Sequence, residues 1–313
     1  MKLVVTGGAG FIGSNFINYW LSRYKEDTIV NIDKLTYAAD PHNVHLKEFG
    51  DRYRLVKADI TEQQTMSEII KNSDLVVNFA AESHVDNSIA SPSQFLVSNY
   101  MGVFSLLECT RKYDVRFHQI STDEVYGSLP LDSSETFDEN TKYNPKNPYS
   151  ATKAAADLLV NSYINTYGIK ATISNCSNNF GPYQHPEKLI PKTITMALKN
   201  EKIPLYGNGE QIRDWIYVED HCRAVESILT KGRIGETYLI SSRNEKRNID
   251  VVKKILEMLG KSRDMIYFTK DRLGHDVRYS INPKKLEKAT GWKPVYSFED
   301  ALKLTIKSYT EGN

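Results

Sequence analysis

Cysteine is scarce in this chain, with three among 313 residues, at positions 109, 176 and 222, and no paired spacing. A disulfide framework and a zinc ribbon are thereby excluded, and reduced, buried thiols are expected. The seven histidines also lack metal-ligand spacing. His42 and His45 could share a helix face, but no carboxylate or cysteine accompanies them, so no metal site is expected. Charge of one sign is lacking too. Forty Lys and Arg stand against 39 Asp and Glu, a net charge of +1. No positive field exists to hold a nucleic-acid backbone, although local basic clusters can still grip a diphosphate. Apolar runs of membrane-spanning length are missing, and MKLVVTGGAGFIG enters a strand without a basic leader or cleavage site. A small anionic ligand and a cytoplasmic location are the expectation. Internal repeats, low-complexity tracts and charge blocks are likewise absent from the sequence.

What is present is 40% hydrophobic and 25% charged content, enough for one large α/β domain and a smaller lobe. Short β-branched runs recur at Lys2–Thr6, Thr28–Ile32, Tyr53–Lys57, Leu75–Phe79, Phe117–Ser121 and Ala171–Asn175, separated by stretches of helical periodicity. That rhythm predicts a Rossmann-type, doubly wound parallel sheet. After Asn175 the chain becomes irregular and rich in Pro and Gly, as loops over a ligand cleft would be. A strand-then-helix pattern returns at Asp214–Leu229, followed by a strand at Thr237–Ile240, so the chain is expected to revisit the sheet. The boundaries are therefore discontinuous: 1–175 and 214–247 for the Rossmann domain, 176–213 and 248–313 for a mixed α/β substrate lobe.

The first strand runs into Gly7-Gly8-Ala9-Gly10-Phe11-Ile12-Gly13 and then a helix. Glycines at 7, 10 and 13 permit a tight turn, close backbone approach to a pyrophosphate, and close helix–strand packing. A lone glycine motif is weak evidence; its place between strand and helix strengthens it. Asp33 ends the next strand, where a carboxylate can accept hydrogen bonds from a ribose diol and repel a 2′-phosphate. NAD is accordingly expected over NADP, with adjacent Lys34 softening the preference. Asp59 and Ile60, after the third strand, are placed to reach the adenine, although Asp59 could equally cap the helix beginning near Glu62.

Tyr149 and Lys153, in Tyr-Ser-Ala-Thr-Lys, stand four apart on one helical face, behind Pro148 at a helix start. A tyrosine of ordinary pKa, about 10, becomes a usable base if a nearby ammonium and an oxidised nicotinamide favour its phenolate. Such a pair occurs by chance in many helices; beside a dinucleotide turn its chemical reading prevails. With the segment Asn78-Phe79-Ala80-Ala81, and Thr122 after the fifth strand, the chain resembles the extended short-chain dehydrogenase/reductase superfamily.

Thr122 is followed by Asp123-Glu124-Val125-Tyr126-Gly127 at a strand's carboxyl end, where open α/β sheets place ligands. Two adjacent carboxyls exceed what redox chemistry requires, and both can reach one substrate only if the chain turns there. The STDEVYG segment resembles the signature of dTDP-glucose 4,6-dehydratases, as do AAESHVD (80–86), NCSNNFGPYQHPEKLIP (175–191), RDWIYVED (213–220) and GHDVRY (274–279). The likeness covers almost the full length. It implies contacts to NAD from Gly7, Gly10, Phe11, Ile12, Gly13, Asp33, Lys34, Asp59, Ile60, Ala80, Ala81, Ser98, Tyr149, Lys153 and Asn178 or Asn179. For a nucleoside-diphosphate hexose it implies Ser83, His84, Thr122, Asn178, Lys188, Leu189, Pro204, Tyr206, Arg213, Asn248, Arg272 and His275, the basic members suiting a diphosphate. Two departures stand out: NYMGV (99–103), where the family usually has Thr after the Gly, and a somewhat shorter chain.

The resemblance implies a reaction in which these groups have distinct tasks. A hexose C5 hydrogen is not acidic until C4 is oxidised to a ketone, so a hydro-lyase of this kind needs NAD. Tyr149 is expected to take the C4 hydroxyl proton, with Thr122 bonding that oxygen and Lys153 tuning the phenol. Glu124 would remove the C5 proton, and a protonated Asp123 would donate to the departing C6 hydroxyl, giving a 4-keto-6-deoxy sugar. Alternatives are a 4,6-dehydratase of another, UDP-linked sugar and a UDP-hexose 4-epimerase, which has no task for Asp123 and Glu124. A homodimer is expected from apolar helix faces at Phe95, Val103, Leu106 and Leu107, and at Leu158, Leu159 and Tyr163.

Overall fold

The structure, a computed structural model, describes residues 1–311. Its strands are β1 (Lys2–Thr6), β2 (Thr28–Asp33), β3 (Tyr53–Lys57), β4 (Leu75–Asn78), β5 (Arg116–Thr122), β6 (Ala171–Cys176), β7 (Asn178–Phe180), β8 (Ile203–Tyr206), β9 (Ile212–Tyr217), β10 (Thr237–Ile240), β11 (Glu245–Arg247) and β12 (Ile266–Thr269). The helices are α1 (Phe11–Arg23), α2 (Leu46–Phe49), α3 (Gln63–Ile70), α4 (Val85–Ala90), α5 (Pro92–Leu96), α6 (Gly102–Tyr113), α7 (Pro148–Tyr167), α8 (Leu189–Leu198), α9 (Val218–Lys231), α10 (Asn248–Met258), α11 (Lys284–Thr290) and α12 (Phe298–Glu311).

Seven parallel strands form the main sheet in the order β3-β2-β1-β4-β5-β6-β10. Its central strands are apolar on both faces because both are covered. Leu3 and Val5 pack with Phe16, Ile17 and Trp20 of α1 and with Val225 and Ile228 of α9. Val4, Val76 and Phe117 pack on the opposite side with Met66 of α3, Leu106 and Leu107 of α6, and Val160 of α7. The strand order reverses between β1 and β4, and a cleft opens beyond their carboxyl ends at such a point. The expected return to the sheet is made by β10. In contrast, β9 leaves the main sheet and lies between β7 and β11, while β8 pairs with β12.

The apolar helix faces require a correction. Phe95, Val103, Leu106, Leu107 and Tyr163 are buried within the chain itself. The exposed apolar residues are their neighbours Leu96, Val97, Met101 and Phe104, together with Leu158, which is 59% exposed. A wide turn over Val97–Met101 sets α5 and α6 slightly out of phase, so the outward stripe is not the one that regular spacing predicts.

Candidate active site at the carboxyl end of the sheet

The turn after β1 is pressed against the segment after β4. Gly7 has φ +70, and a Cβ there would lie 2.6 Å from the Ala80 backbone; a Cβ at Gly13 would lie 2.4 Å from the Gly7 carbonyl oxygen. Only glycine lets the three pieces meet. Gly8 N–H donates to Asn31 Oδ1 at 3.0 Å and Ala9 N–H to Asp33 Oδ2 at 2.9 Å, while Leu35 N–H takes Asp33 Oδ1 at 2.8 Å. Asp33 is thus fixed at the tip of β2 with lone pairs to spare for a diol. Asp59 does not cap a helix. Its Oδ1 accepts from the Thr61 amide and hydroxyl, its Oδ2 pairs with Lys34 at 2.7 Å, and α3 begins only at Gln63.

One cleft gathers Gly7, Gly10, Phe11, Ile12, Gly13, Asp33, Lys34, Asp59, Ile60, Ala80, Ala81, Ser98, Tyr149, Lys153 and Asn179 along its walls. Ser83, Thr122, Asp123, Glu124, Asn178 and Lys188 continue the same lining. Asn99, in the divergent NYMGV segment, ties this wall together: it accepts from Glu82 N–H at 2.8 Å and donates to the Thr152 hydroxyl at 3.0 Å. A Cβ on Gly102 would meet Ile60 at 2.3 Å, which is why α6 can start so close to the cleft.

At the end of β5, the Thr122 side chain accepts from Glu124 N–H at 3.3 Å and caps a single turn over Asp123–Tyr126. That is the turn two adjacent carboxyls need to share one site. Asp123 is pushed well above the usual carboxylate range by burial and then by the Glu124 charge, which favours its protonated form. Burial also raises Glu124, but Arg213, Arg272 and Lys188 oppose that and favour its anion. Arg213 acts on both carboxyls, whereas Arg272 and Lys188 act on Glu124, so the two neighbours have different surroundings.

Tyr149 stands in the first turn of α7, which begins with Asn147 and Ser150 capping each other's backbone amides and Pro148 between them. The phenol packs edge-on against Phe95 at 6.3 Å and beside Val85. Its pKa is driven well above 10 by burial and then by Glu124. The Lys153 ammonium donates to the Ile120 carbonyl oxygen at 2.7 Å.

Eight residues read from the sequence as substrate contacts lie outside the cleft lining: His84, Leu189, Pro204, Tyr206, Arg213, Asn248, Arg272 and His275. Asp86, which sequence reasoning did not assign, joins three of them. It accepts from the Tyr206 hydroxyl at 3.1 Å, pairs loosely with Arg272 at 3.7 Å and lies 3.9 Å from His84. His275 stands edge-on to Tyr206. Leu189 opens α8 directly after Lys188, Pro204 lies in β8, and Asn248 opens α10. Arg213 stacks over Tyr279 at 4.4 Å. Glu82, Gln184, His185 and Glu187 also line the cleft unassigned. All lie in segments quoted for their family likeness, which was the available signal.

Buried polar atoms without partners collect here: Asp123 Oδ2, Asn178 Oδ1, Asn179 Oδ1, Gln184 Oε1 and Ser177 Oγ at the cleft, with Arg272 Nε and Asn248 Oδ1 beside it. Leaving such atoms unpaired costs about 1–3 kcal/mol each, so a polar ligand is the economical explanation for them. With the glycine turn and Asp33, the residues fit a dinucleotide at one end and a polar second molecule at the other. Among the described residues, no cluster of His, Cys, Asp and Glu could hold a metal, and no helix is long and apolar enough to cross a membrane.

Fold and cleft together define a dinucleotide-dependent α/β enzyme of the short-chain dehydrogenase/reductase type, with two adjacent carboxyls beside its Tyr–Lys pair. The family model described as GDP-mannose 4,6 dehydratase matches residues 4–305. A dTDP-glucose 4,6-dehydratase of Mycobacterium tuberculosis is 49% identical over 100% of this chain and 94% of its own length. One from Escherichia coli K12 is 44% identical over 99% of this chain and 92% of its own length. The Streptomyces venezuelae dTDP-glucose 4,6-dehydratase DesIV, solved with NAD bound, superimposes with a TM-score of 0.96 at 41% identity, covering 99% of this chain and 97% of its own. A Thermus thermophilus UDP-glucose 4-epimerase solved with NAD gives 0.91 at 26%, with each chain fully covered. The chain belongs to the nucleotide-sugar 4,6-dehydratase family, on the branch of the dTDP-glucose 4,6-dehydratases.

Proposed function

We propose that this chain is an NAD-dependent dTDP-glucose 4,6-dehydratase that converts dTDP-glucose to dTDP-4-keto-6-deoxyglucose and water. The observation that carries this reading is the shared placement of Thr122, Asp123, Glu124 and Tyr149 in one cleft. A 4-epimerase has the same use for Tyr149 but none for two adjacent carboxyls. Bound NAD supplies the hydride acceptor at C4 and the hydride donor at C6. The turn 7–13, Asp33 and Ala80–Ala81 hold and orient it, and its positive nicotinamide offsets the burial that otherwise keeps Tyr149 protonated.

Tyr149 accepts the C4 hydroxyl proton while Thr122 fixes that oxygen. Oxidation at C4 makes the C5 hydrogen an α-proton, and Glu124 removes it. Asp123 gives its proton to the C6 hydroxyl, which leaves as water as the C5–C6 double bond forms. Glu124 returns its proton to C5 as C6 receives the hydride, the C4 ketone is kept, and the proton on Tyr149 passes to Asp123, directly or through solvent, replacing the one lost with the water. Sugar and cofactor finish balanced, with water as the sole loss. Arg213, Arg272 and Lys188 supply positive charge for a diphosphate.

Replacing Glu124 with Gln tests the assignment. Oxidation at C4 should survive while elimination stalls, so mixing with dTDP-glucose should accumulate reduced cofactor, seen by its near-ultraviolet absorbance. Keto-sugar formation should fall on the order of 10²–10⁴-fold. Normal product formation would remove Glu124 as the base. Turnover measured beside UDP-, CDP- and GDP-linked hexoses checks the nucleotide.

The chain works in the cytoplasm and as a homodimer in this reading. Support for the dimer comes from the outward stripe of Leu96, Val97, Met101, Phe104 and Leu158, since contiguous apolar surface on a soluble protein marks an association face.

A further inference from the structure

Asp157 is fully buried, at 0% exposure, and takes no part in the steps above. It lies one turn beyond Lys153 on the same face of α7. Its Oδ2 accepts from Ser121 Oγ at 2.6 Å, Asn175 Nδ2 at 3.0 Å and the Tyr143 hydroxyl at 3.3 Å, while Oδ1 has no partner. Three donors converging on one oxygen suit an ionised carboxylate, since a neutral acid would also need an acceptor for its own proton. These donors come from β5, β6 and the loop before α7, so the carboxylate is fixed from three sides.

Lys153 is also buried, at 4% exposure, and spends one proton on the Ile120 carbonyl. Taking an ammonium out of water favours its neutral form unless a negative charge is close. Resting on the reading of Tyr149 and Lys153 as the redox pair, we propose that Asp157 is a positioning residue. Its clamped carboxylate holds Lys153 as an ammonium against the Ile120 carbonyl and so keeps that charge available to Tyr149.

The other titratable groups facing the pair are Tyr126 and Tyr143, from the segment ahead of α7, and Cys176 of β6. Burial pushes all three upward, so they stay neutral while Asp157 and Lys153 change charge. Burial lowers Lys153, and Asp157 is the first influence opposing it. Burial lifts Asp157 itself to about 6, so its charge is present above that pH and lost below it.

Lysine labelled with ¹³C at Cε reports each ammonium directly by NMR, and the Lys153→Met spectrum identifies its resonance. In the NAD-bound protein, Asp157→Asn should lower the Lys153 titration midpoint by about one pH unit or more, and Asp157→Glu should restore it. With dTDP-glucose, Asp157→Asn should reduce kcat with little change in KM and shift the alkaline limb of the rate profile downward. If the amide variant does not fold, Asp157→Ser removes the charge with a smaller side chain. The unaltered protein offers a check that needs no variant: the Lys153 resonance should inflect near pH 6 as Asp157 takes its proton. Equal midpoints with and without the carboxylate, or no such inflection, would overturn the proposal. Failure of the dehydratase reading is seen separately, as an unaltered enzyme that makes no keto sugar while the Lys153 midpoint still follows Asp157.

Discussion

Three glycines in one turn should respond differently to a single added methyl group. At Gly10 a Cβ meets only the Gly7 carbonyl oxygen at 3.3 Å, so Gly10→Ala requires a shift of a few tenths of an ångström and should be mild. At Gly13 the Cβ would lie 2.4 Å from Gly7 O and 2.8 Å from Gly8 Cα, both backbone atoms that cannot rotate away. Alanine contributes about 1 kcal/mol of helix propensity in α1, against an overpacking cost of about 1–3 kcal/mol, so Gly13→Ala should be destabilising. At Gly7 the Cβ would lie 2.6 Å from the Ala80 backbone, and φ is +70, which adds about 1–2 kcal/mol for a left-handed residue. Together these make about 2–5 kcal/mol, or roughly 4–20 °C in Tm for a chain of this size. Both harmful substitutions also push apart the backbone that receives a pyrophosphate, so NAD affinity should fall by more than about tenfold at Gly7 and Gly13, at a cost above ~1.4 kcal/mol. Thermal unfolding and titration calorimetry with NAD give the two quantities. If Gly7→Ala melts and binds NAD like the unaltered protein, the turn is looser than its contacts imply and the cofactor's place is wrong.

Asp33→Ala removes the carboxylate at the tip of β2 and should narrow the preference for NAD over NADP; an unchanged ratio of dissociation constants would misplace the adenosine site. Both ring nitrogens of His221 are buried without a partner, and burial lowers its pKa from 6.5 to about 3. Between those values the unfolded chain binds a proton that the folded chain does not, so this group costs stability as pH falls below about 6.5. His221→Leu should therefore lose about 2 kcal/mol less than the unaltered protein between pH 7 and pH 5, measured by denaturant unfolding; equal losses would count against a buried neutral imidazole. Leu158→Arg places a charge on the exposed apolar stripe and should convert a dimer to monomers by light scattering, whereas an unaltered mass would place the interface elsewhere.

The sequence by itself determined whatever neighbours in the chain control. The glycine turn between strand and helix, Asp33 at the end of β2, the Tyr149–Lys153 spacing and the adjacent carboxyls of 123 and 124 are local patterns, and the structure brings them to one cleft. The Asn147–Ser150 cap likewise arises within one turn of chain. Tertiary structure decided the rest, because it depends on distant partners. Lys153 faces the Ile120 carbonyl and Asp157 is clamped from β5, β6 and a loop, neither of which helical spacing can reveal. Asp86 gains its importance from Tyr206 and Arg272, more than a hundred residues away. β9 reads as a strand from its own residues, yet its partners in a separate sheet come from β7 and β11. Most of all, adjacent Asp123 and Glu124 are chemically alike in the sequence; only burial and the placement of Arg213, Arg272 and Lys188 give the two carboxyls different electrostatic surroundings.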